Sequence, residues 1–406
     1  MIFLLKYTFP LHPTHDNFMR RCLVLAQKSF GHTYPNPMVG AVVVRDGKII
    51  GEGWHQKAGD THAEVNALAK LSPNELDDAT LYVNLEPCSH HGKTPPCCDL
   101  VLAKGIKKVI IGATDPNPKV AGRGIAALKA AGVEVISGVL EDDCLELNKR
   151  FYCFHTKKRP YIILKWAQSA DGYMAPADDK KGEVFWISDA DSQQLAHRWR
   201  AEEHAILVGR KTVDDDNPKL TTRKWTGNNP IRLVIDPNNS IDANAAVLNG
   251  AAKTVVFNNS VNKREANVNW VAITKTEMIK GILSWCFANE IQSIMVEGGA
   301  ATIQGLDHGC DRFLVSIHKV TVRRAAGQCF DAQRARTGKQ VETLCSLKMG
   351  PQPIEERLPN PVSRGSQAWP IRKLEFPPTP SSTNDPELGG SLFGATSHAG
   401  SCFSGC

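Results

Sequence analysis

No stretch of this chain holds the roughly 18 consecutive apolar residues that a membrane-spanning helix requires. The apolar opening Met1–Leu5 lacks a basic start, and no small-residue cleavage pattern follows it. A signal peptide is therefore not expected, and the sequence reads as a cytoplasmic protein with no membrane partner. Twelve cysteines in 406 residues are too few for a disulfide scaffold. The Gly-x-Gly-x-x-Gly fingerprint is missing, so a nicotinamide cofactor would have to bind on something other than a Rossmann unit. A basic stripe is missing too. Of the net charge of +6, residues 310–406 carry +4 and the other 309 residues +2. The body of the chain is thus near neutral, which argues against a nucleic-acid partner.

What remains is an ordinary globular balance, 42% hydrophobic and 22% charged, at a length that suggests two or three domains. Residues 16–150 alternate between helical and strand patterns. Asp16 is a candidate cap for a helix with Phe18, Met19, Cys22, Leu23 and Ala26 on one face. Val39–Val44 and Lys48–Gly51 flank Asp46-Gly47, a two-residue hairpin signal. Helices are expected over 61–71, 96–104 and 124–131, and strands over 79–85, 108–112 and 133–137. A helical linker over 142–158 leads to Arg159-Pro160. A second α/β unit then spans about 160–309, with strands at 161–165, 205–209, 231–236, 254–257 and 294–296. Helices are expected over 189–201, with Ser188 as the cap, and over 277–288. Beyond residue 310 periodicity fades and nine of the 24 prolines accumulate. That composition predicts a disordered tail over 310–406.

Three of the cysteines, Cys88, Cys97 and Cys98, fall within eleven residues, a clustering that favours metal over disulfide. With His62-Ala63-Glu64 they form the sharpest chemical signal in the chain. One His and two thiolates fill three corners of a Zn²⁺ tetrahedron and leave the fourth for water, whose pKa the metal lowers toward about 7. The expected ligands are His62, Cys88 and Cys97. Glu64, two residues from His62, is placed to move a proton from water to a leaving amine without binding the metal. The general zinc-deaminase pattern is H-x-E with P-C-x-x-C. Here eight residues rather than two separate the cysteines. The competing reading is a structural zinc site with Cys98 as fourth ligand. Adjacent helical residues point about 100° apart, which counts against it. Asn36, whose amide suits a pyrimidine edge, and His55 would line the pocket. His90 and His91 read as substrate contacts or solvated groups, in a loop whose donors suit a phosphate.

PNPMVGAVVV, GEGWH, HAEVNAL, NLEPCSHHGKTPPCC and TDPNPKVAGRG together resemble the deaminase half of the bifunctional riboflavin-biosynthesis deaminase–reductases. LKWAQSADGYMA, WISDADSQQLAHRWRAEEHAILVGRKTVDDDNPKLTTR and MVEGGA resemble the reductase half. The resemblance covers about residues 16–309. It implies a cytidine-deaminase-like α/β/α sandwich over 1–150, then a dihydrofolate-reductase-like α/β domain over 151–309 that uses NADPH. The implied chemistry is hydrolytic deamination of a diaminopyrimidinone bearing a phosphoribosylamino group, then reduction of the ribosyl chain. The resemblance also leaves room for a homo-oligomer. By that resemblance Ala167, Trp186, Thr212, Asp216, Gly299, Ala300, Ala301, Thr302, Ile303, Gln304 and Gly305 match cofactor positions. Val184, Arg200, Leu220, Arg223 and Glu297 match substrate positions, and Lys165 and Asp216 are candidates for proton handling. Guanidinium meets phosphate bidentately, so Arg200 and Arg223 suit a ribose phosphate. The family's terminal strands are not recognisable after Gly309, so the sequence predicts a reductase sheet that lacks them. Two other readings compete: a deaminase with a reductase remnant, and an RNA base-editing protein.

Overall fold

The computed structural model describes residues 14–90, 95–118, 120–169, 188–307, 309–318 and 341–345. The first lobe comprises α1 (His15–Gln27), β1 (Gly40–Arg45), β2 (Lys48–Trp54), α2 (Ala63–Leu68), α3 (Pro73–Leu76), β3 (Thr80–Leu85), α4 (Cys97–Ala103), β4 (Lys108–Ala113), α5 (Arg123–Ala130) and β5 (Glu134–Ser137). Its sheet runs β2-β1-β3-β4-β5, with β1 antiparallel to both neighbours and the rest parallel. The turn between β1 and β2 puts Asp46 and Gly47 at positive φ, the hairpin read from Asp-Gly. Thr14, not Asp16, occupies the cap position of α1, and Asp16 lies in the first turn.

The expected helical linker is two helices, α6 (Glu141–Leu147) and α7 (Lys149–Lys157), broken at Asn148. The second lobe follows with β6 (Tyr161–Ser169), α8 (Ala190–Glu202), β7 (Ala205–Gly209), α9 (Arg210–Asp216), β8 (Ile231–Ile235), β9 (Thr254–Asn258), β10 (Lys263–Glu265), β11 (Val268–Ala272), α10 (Met278–Ala288), β12 (Ser293–Val296), α11 (Ala300–Asp307), β13 (Arg312–His318) and β14 (Val341–Cys345). Asp189 rather than Ser188 caps α8, its carboxylate accepting the Ser192 N–H at 2.8 Å. The sheet order is β10-β11-β9-β8-β7-β12-β6-β13-β14, parallel except for the β10–β11 hairpin.

Alternation along each strand builds two cores per sheet. Ile162, Leu164 and Trp166 join one core while Tyr161 and Ile163 join the other. Ala41 and Val43 face one side of the first sheet, Val42 and Val44 the other. Burial on both faces explains why these strands read as continuous apolar runs.

The boundary that composition places at Gly309 does not coincide with the end of the sheet, because β13 pairs with β6 from Arg312 to His318. Asp311, just before it, has a side chain only 7% exposed. Its carboxylate accepts from Arg159 Nη1 at 2.6 Å, Arg159 Nη2 at 3.0 Å, Lys157 Nζ at 3.0 Å and the Ile162 N–H at 2.9 Å. One carboxylate thus ties the end of α7, the start of β6 and the start of β13 together. Apart from 309–318 and 341–345, the predicted disordered tail lies outside the described residues.

Asp311→Ala is expected to lower stability by about 2–3 kcal/mol in denaturant unfolding. That is less than the roughly 3–5 kcal/mol of a fully buried pair, because Arg159 keeps 21% exposure. Unchanged stability would show that the start of β13 is not anchored this way.

Candidate active sites

The first site forms where β3 ends. His62 sits at the cap position of α2 with extended backbone, which turns its ring toward the sheet edge. Cys88 follows the strand through Glu86 and Pro87, and Cys97 opens α4. His62 Nδ1 lies 3.1 Å from Cys97 Sγ and 3.6 Å from Cys88 Sγ, and all three donor atoms lie within 4.8 Å of one another. Zn–N and Zn–S bonds of about 2.0 and 2.3 Å at tetrahedral angles give N···S edges of about 3.5 Å, so one zinc ion fits this triangle. The Cys97 N–H donates to Cys88 Sγ at 3.3 Å. Hydrogen bonds from Cys97, then from the His62 ring, lower the pKa of the Cys88 thiol, which favours the thiolate a metal needs.

Cys98 is not a fourth ligand. Its sulfur donates to Pro87 O at 3.4 Å, away from the triangle, and it packs in the core with Val101 and Leu128. Burial pushes its thiol up to about 12. Among the described residues the donors that meet here are three, His62, Cys88 and Cys97. Glu64, in the first turn of α2, is 3% exposed. Burial, and then the negative charge of Cys88, raise its carboxyl above the usual range.

Asn36 and His55 do meet beside this triangle. His55 Nδ1 lies 3.1 Å from Thr61 O, which can only accept, so Nδ1 carries the proton. Nε2 is then the acceptor for Asn36 Nδ2 at 3.0 Å. Desolvation lowers the His55 pKa and keeps the ring neutral. His90 is at the edge of the described residues, and His91 lies outside them with the rest of that loop through Thr94.

Sequence reasoning missed the groups that hold this edge in shape. Asn84 accepts the Gly40 N–H at 2.8 Å and donates to Met38 O at 3.1 Å. Asn148 accepts the Met38 N–H and donates to Met38 O, both at 2.9 Å. Glu86 accepts the N–H groups of Asp115, Gly122, Gly124 and Ile125 at 2.8–3.2 Å. A Cβ on Gly124 would stand 2.2 Å from Pro87 O, so only glycine lets α5 reach the cysteine turn. The nearest available signal was the position of Glu86, directly before Pro87-Cys88.

The second site forms at the carboxyl ends of β6, β7 and β12. Thr212 Oγ1 accepts the Gly299 N–H at 3.2 Å. A Cβ on Gly209 would come within 2.6 Å of Thr302 Oγ1, and one on Gly298 within 2.7 Å of Thr302 Cβ. The end of β7, the turn after β12 and the first turn of α11 thus pack closely, glycine backbone against Thr212 and Thr302, and these backbone N–H groups are the ones that would hold an anionic cofactor such as NADPH. Ala167 is half-buried at the end of β6, and Ala301, Gln304 and Gly305 are exposed on α11. The side chains of Ile303 and Leu220 face inward. They are 0% and 2% exposed and belong to the cores, leaving only their backbone for a ligand. Asp216 is the exposed last residue of α9. Ala300 begins α11, but its side chain, like Val184 and Trp186, lies outside the described residues.

Glu297 follows β12 and pairs with Arg200 through Nε at 3.1 Å and Nη2 at 2.6 Å. Burial alone would raise this carboxyl, but Arg200 and then Lys165 pull it down to about 2. The Arg200 fork is therefore occupied by Glu297, contrary to its expected use on a phosphate. Arg223 is the freer guanidinium, held by Thr221 Oγ1 at 2.9 Å. Burial, followed by Arg200, lowers its pKa.

The His–Cys–Cys triangle suited to zinc, with a buried glutamate beside it, is the arrangement of a zinc-dependent deaminase, and the second lobe follows it in the same chain as a reductase domain. The cytidine and deoxycytidylate deaminase zinc-binding region matches residues 12–113, and the RibD C-terminal domain matches residues 160–322. The riboflavin biosynthesis protein RibD of Aquifex aeolicus is 44% identical over 309 residues, covering 74% of this chain and 86% of that protein. RibD of Escherichia coli is 39% identical over 307 residues, covering 70% and 81%. The crystal structure of the Thermotoga maritima diaminohydroxyphosphoribosylaminopyrimidine deaminase/5-amino-6-(5-phosphoribosylamino)uracil reductase superposes with a TM-score of 0.71 at 37% identity, covering 77% of this chain and 89% of that one. The chain belongs to the RibD family of bifunctional riboflavin-biosynthesis enzymes, and its cofactors are zinc and NADPH.

Cys88→Ser is expected to lose most of its zinc, while Cys98→Ser keeps about one ion per chain. Metal analysis of the two purified variants checks this. The reverse pattern would move the site to Cys98.

Proposed function

We propose that the first site hydrolyses 2,5-diamino-6-(5-phosphoribosylamino)pyrimidin-4-one to its uracil analogue and ammonia. The second site then reduces the ribosylamino group to ribitylamino with NADPH. The observation that carries the first step is the buried Glu64 beside the His62–Cys88–Cys97 triangle. Zinc, held by His62, Cys88 and Cys97, would supply the acidity that makes water a nucleophile near neutral pH. Glu64, its proton affinity raised by burial, would carry the proton that the attacking water loses to the departing amine. Asn36, its donor side fixed on His55, offers its amide oxygen to the pyrimidine edge. The loop that includes His90 is the candidate for the phosphate end.

In the second site NADPH supplies the hydride. Glu297 stays ionised between Arg200 and Lys165, so it accepts substrate hydroxyl hydrogen bonds rather than donating protons. Lys165 and Asp216 remain the proton donors to test as the ribose ring opens, and Arg223 the phosphate contact. The match of residues 160–322 to the reductase family disfavours a mere remnant. The substrate is a small molecule. A reducing, cytoplasmic setting is supported by the cysteines, all free among the described residues. Among those residues no helix is long and apolar enough to cross a membrane.

Glu64→Gln is expected to keep zinc and lower ammonia release by about 10²–10⁴-fold, the usual worth of a positioned proton carrier. The same variant should oxidise NADPH normally when given the deaminated intermediate. Near-normal ammonia release would remove Glu64 from the role.

A further inference from the structure

The segment that carries Asn36 is pinned from both sides, and only one side belongs to the first lobe. Asn84 and Asn148 hold Met38 and Gly40. Two residues before Asn36, the contacts come from the second lobe. The Tyr34 hydroxyl donates to Glu202 O at 3.1 Å and accepts from Ser293 Oγ at 3.2 Å. The Tyr34 ring stacks on His204 at 4.6 Å with 13° between the planes. Gln292, 1% exposed, donates its side-chain amide to Pro35 O. Phe30 lies under the Arg150 guanidinium at 4.7 Å, and Arg150 is itself paired with Glu203 through two hydrogen bonds, one of 2.8 Å, both partners under 8% exposed. A Cβ on Gly31 would stand 2.1 Å from Ala201 O, so the loop lies directly on the end of α8.

We propose that the reductase lobe completes the deaminase site: Gln292, with Tyr34 seated on His204 and Ser293, positions Asn36 for the pyrimidine. Pro35 adjoins Asn36, and the Asn36 amide must keep both its His55 bond and its substrate-facing edge. A loop free at Tyr34 and Pro35 would sample conformations in which it keeps neither. Gln292 and Ser293 lie at the amino end of β12, the opposite end of that strand from Glu297. Their side-chain hydrogen bonds go to Pro35, Tyr34 and His204. They are positioning residues for a reaction carried out in the other lobe.

This inference rests on the assignment of Asn36 as a substrate contact, so Asn36→Ala is measured beside Gln292→Ala and the milder Tyr34→Phe. Steady-state ammonia release from the diaminopyrimidinone phosphate gives KM and kcat. NADPH oxidation with the deaminated intermediate, zinc content and melting midpoint are read on the same proteins. Gln292→Ala is expected to raise the deamination KM about three- to tenfold, the worth of one lost buried hydrogen bond, with kcat, zinc and NADPH oxidation nearly unchanged. Tyr34→Phe should raise KM by less, and Asn36→Ala by at least as much. If Asn36→Ala raises KM and Gln292→Ala does not, the coupling is absent and the Asn36 assignment stands. If Asn36→Ala changes nothing, both fall. If Gln292→Ala lowers kcat of both reactions together with the melting midpoint, Gln292 is only structural and the proposal is overturned.

Discussion

A strand buried on both faces commits its backbone to its neighbours and its side chains to the core, so chemistry is confined to where the strand stops. Both sheets of this protein obey that constraint. The end of β3 releases Pro87-Cys88, and the α2 and α4 starts bring His62 and Cys97 to the same edge. In the second lobe the ends of β7 and β12 release Gly209 and Glu297, beside Lys165 in the middle of β6. Neither site has a dedicated scaffold of its own. Each is the edge of a core that would form for packing reasons alone.

Buried polar groups then shape those edges. Glu86 spends its carboxylate on four backbone N–H groups, and Asn84 and Asn148 on the Met38 segment. Arg200 fixes Glu297 as an anion, and Arg150 with Glu203 closes the junction beside the Asn36 loop. Such groups are costly to leave unpaired inside a protein, so each one specifies a single arrangement of the loop it holds.

The zinc site was legible because its residues lie in short local motifs. His62, Glu64, Cys88 and Cys97 each sit at a helix start or strand end, where the order of residues along the chain already sets the geometry. The hairpin at Asp46-Gly47 was legible for the same reason. What escaped is long-range. Asn148 reaches Met38 across 110 residues, and Gln292 reaches Pro35 across 257. No local periodicity encodes such pairings. Ile303 and Leu220 match ligand positions by family resemblance, and that their side chains fill the core is set by packing that no short motif records. A boundary reads at Gly309 because the family motifs stop there and the 97 residues beyond hold nine prolines, all from Pro351 onward. Asp311 crosses that boundary because one carboxylate, not a run of pattern, anchors the next strand.

One chain here holds two sites that act in order. The direct measurement gives the intact zinc-loaded protein the diaminopyrimidinone phosphate and NADPH, and follows ammonia and NADPH together. Ammonia release should precede NADPH oxidation, with about one of each per substrate consumed and no NADPH oxidation when zinc is removed. Supplying the deaminated intermediate should restore oxidation to the zinc-free protein. Ammonia release with no NADPH oxidation, from either substrate, would contradict the claim and leave the second sheet as a support for the first site alone.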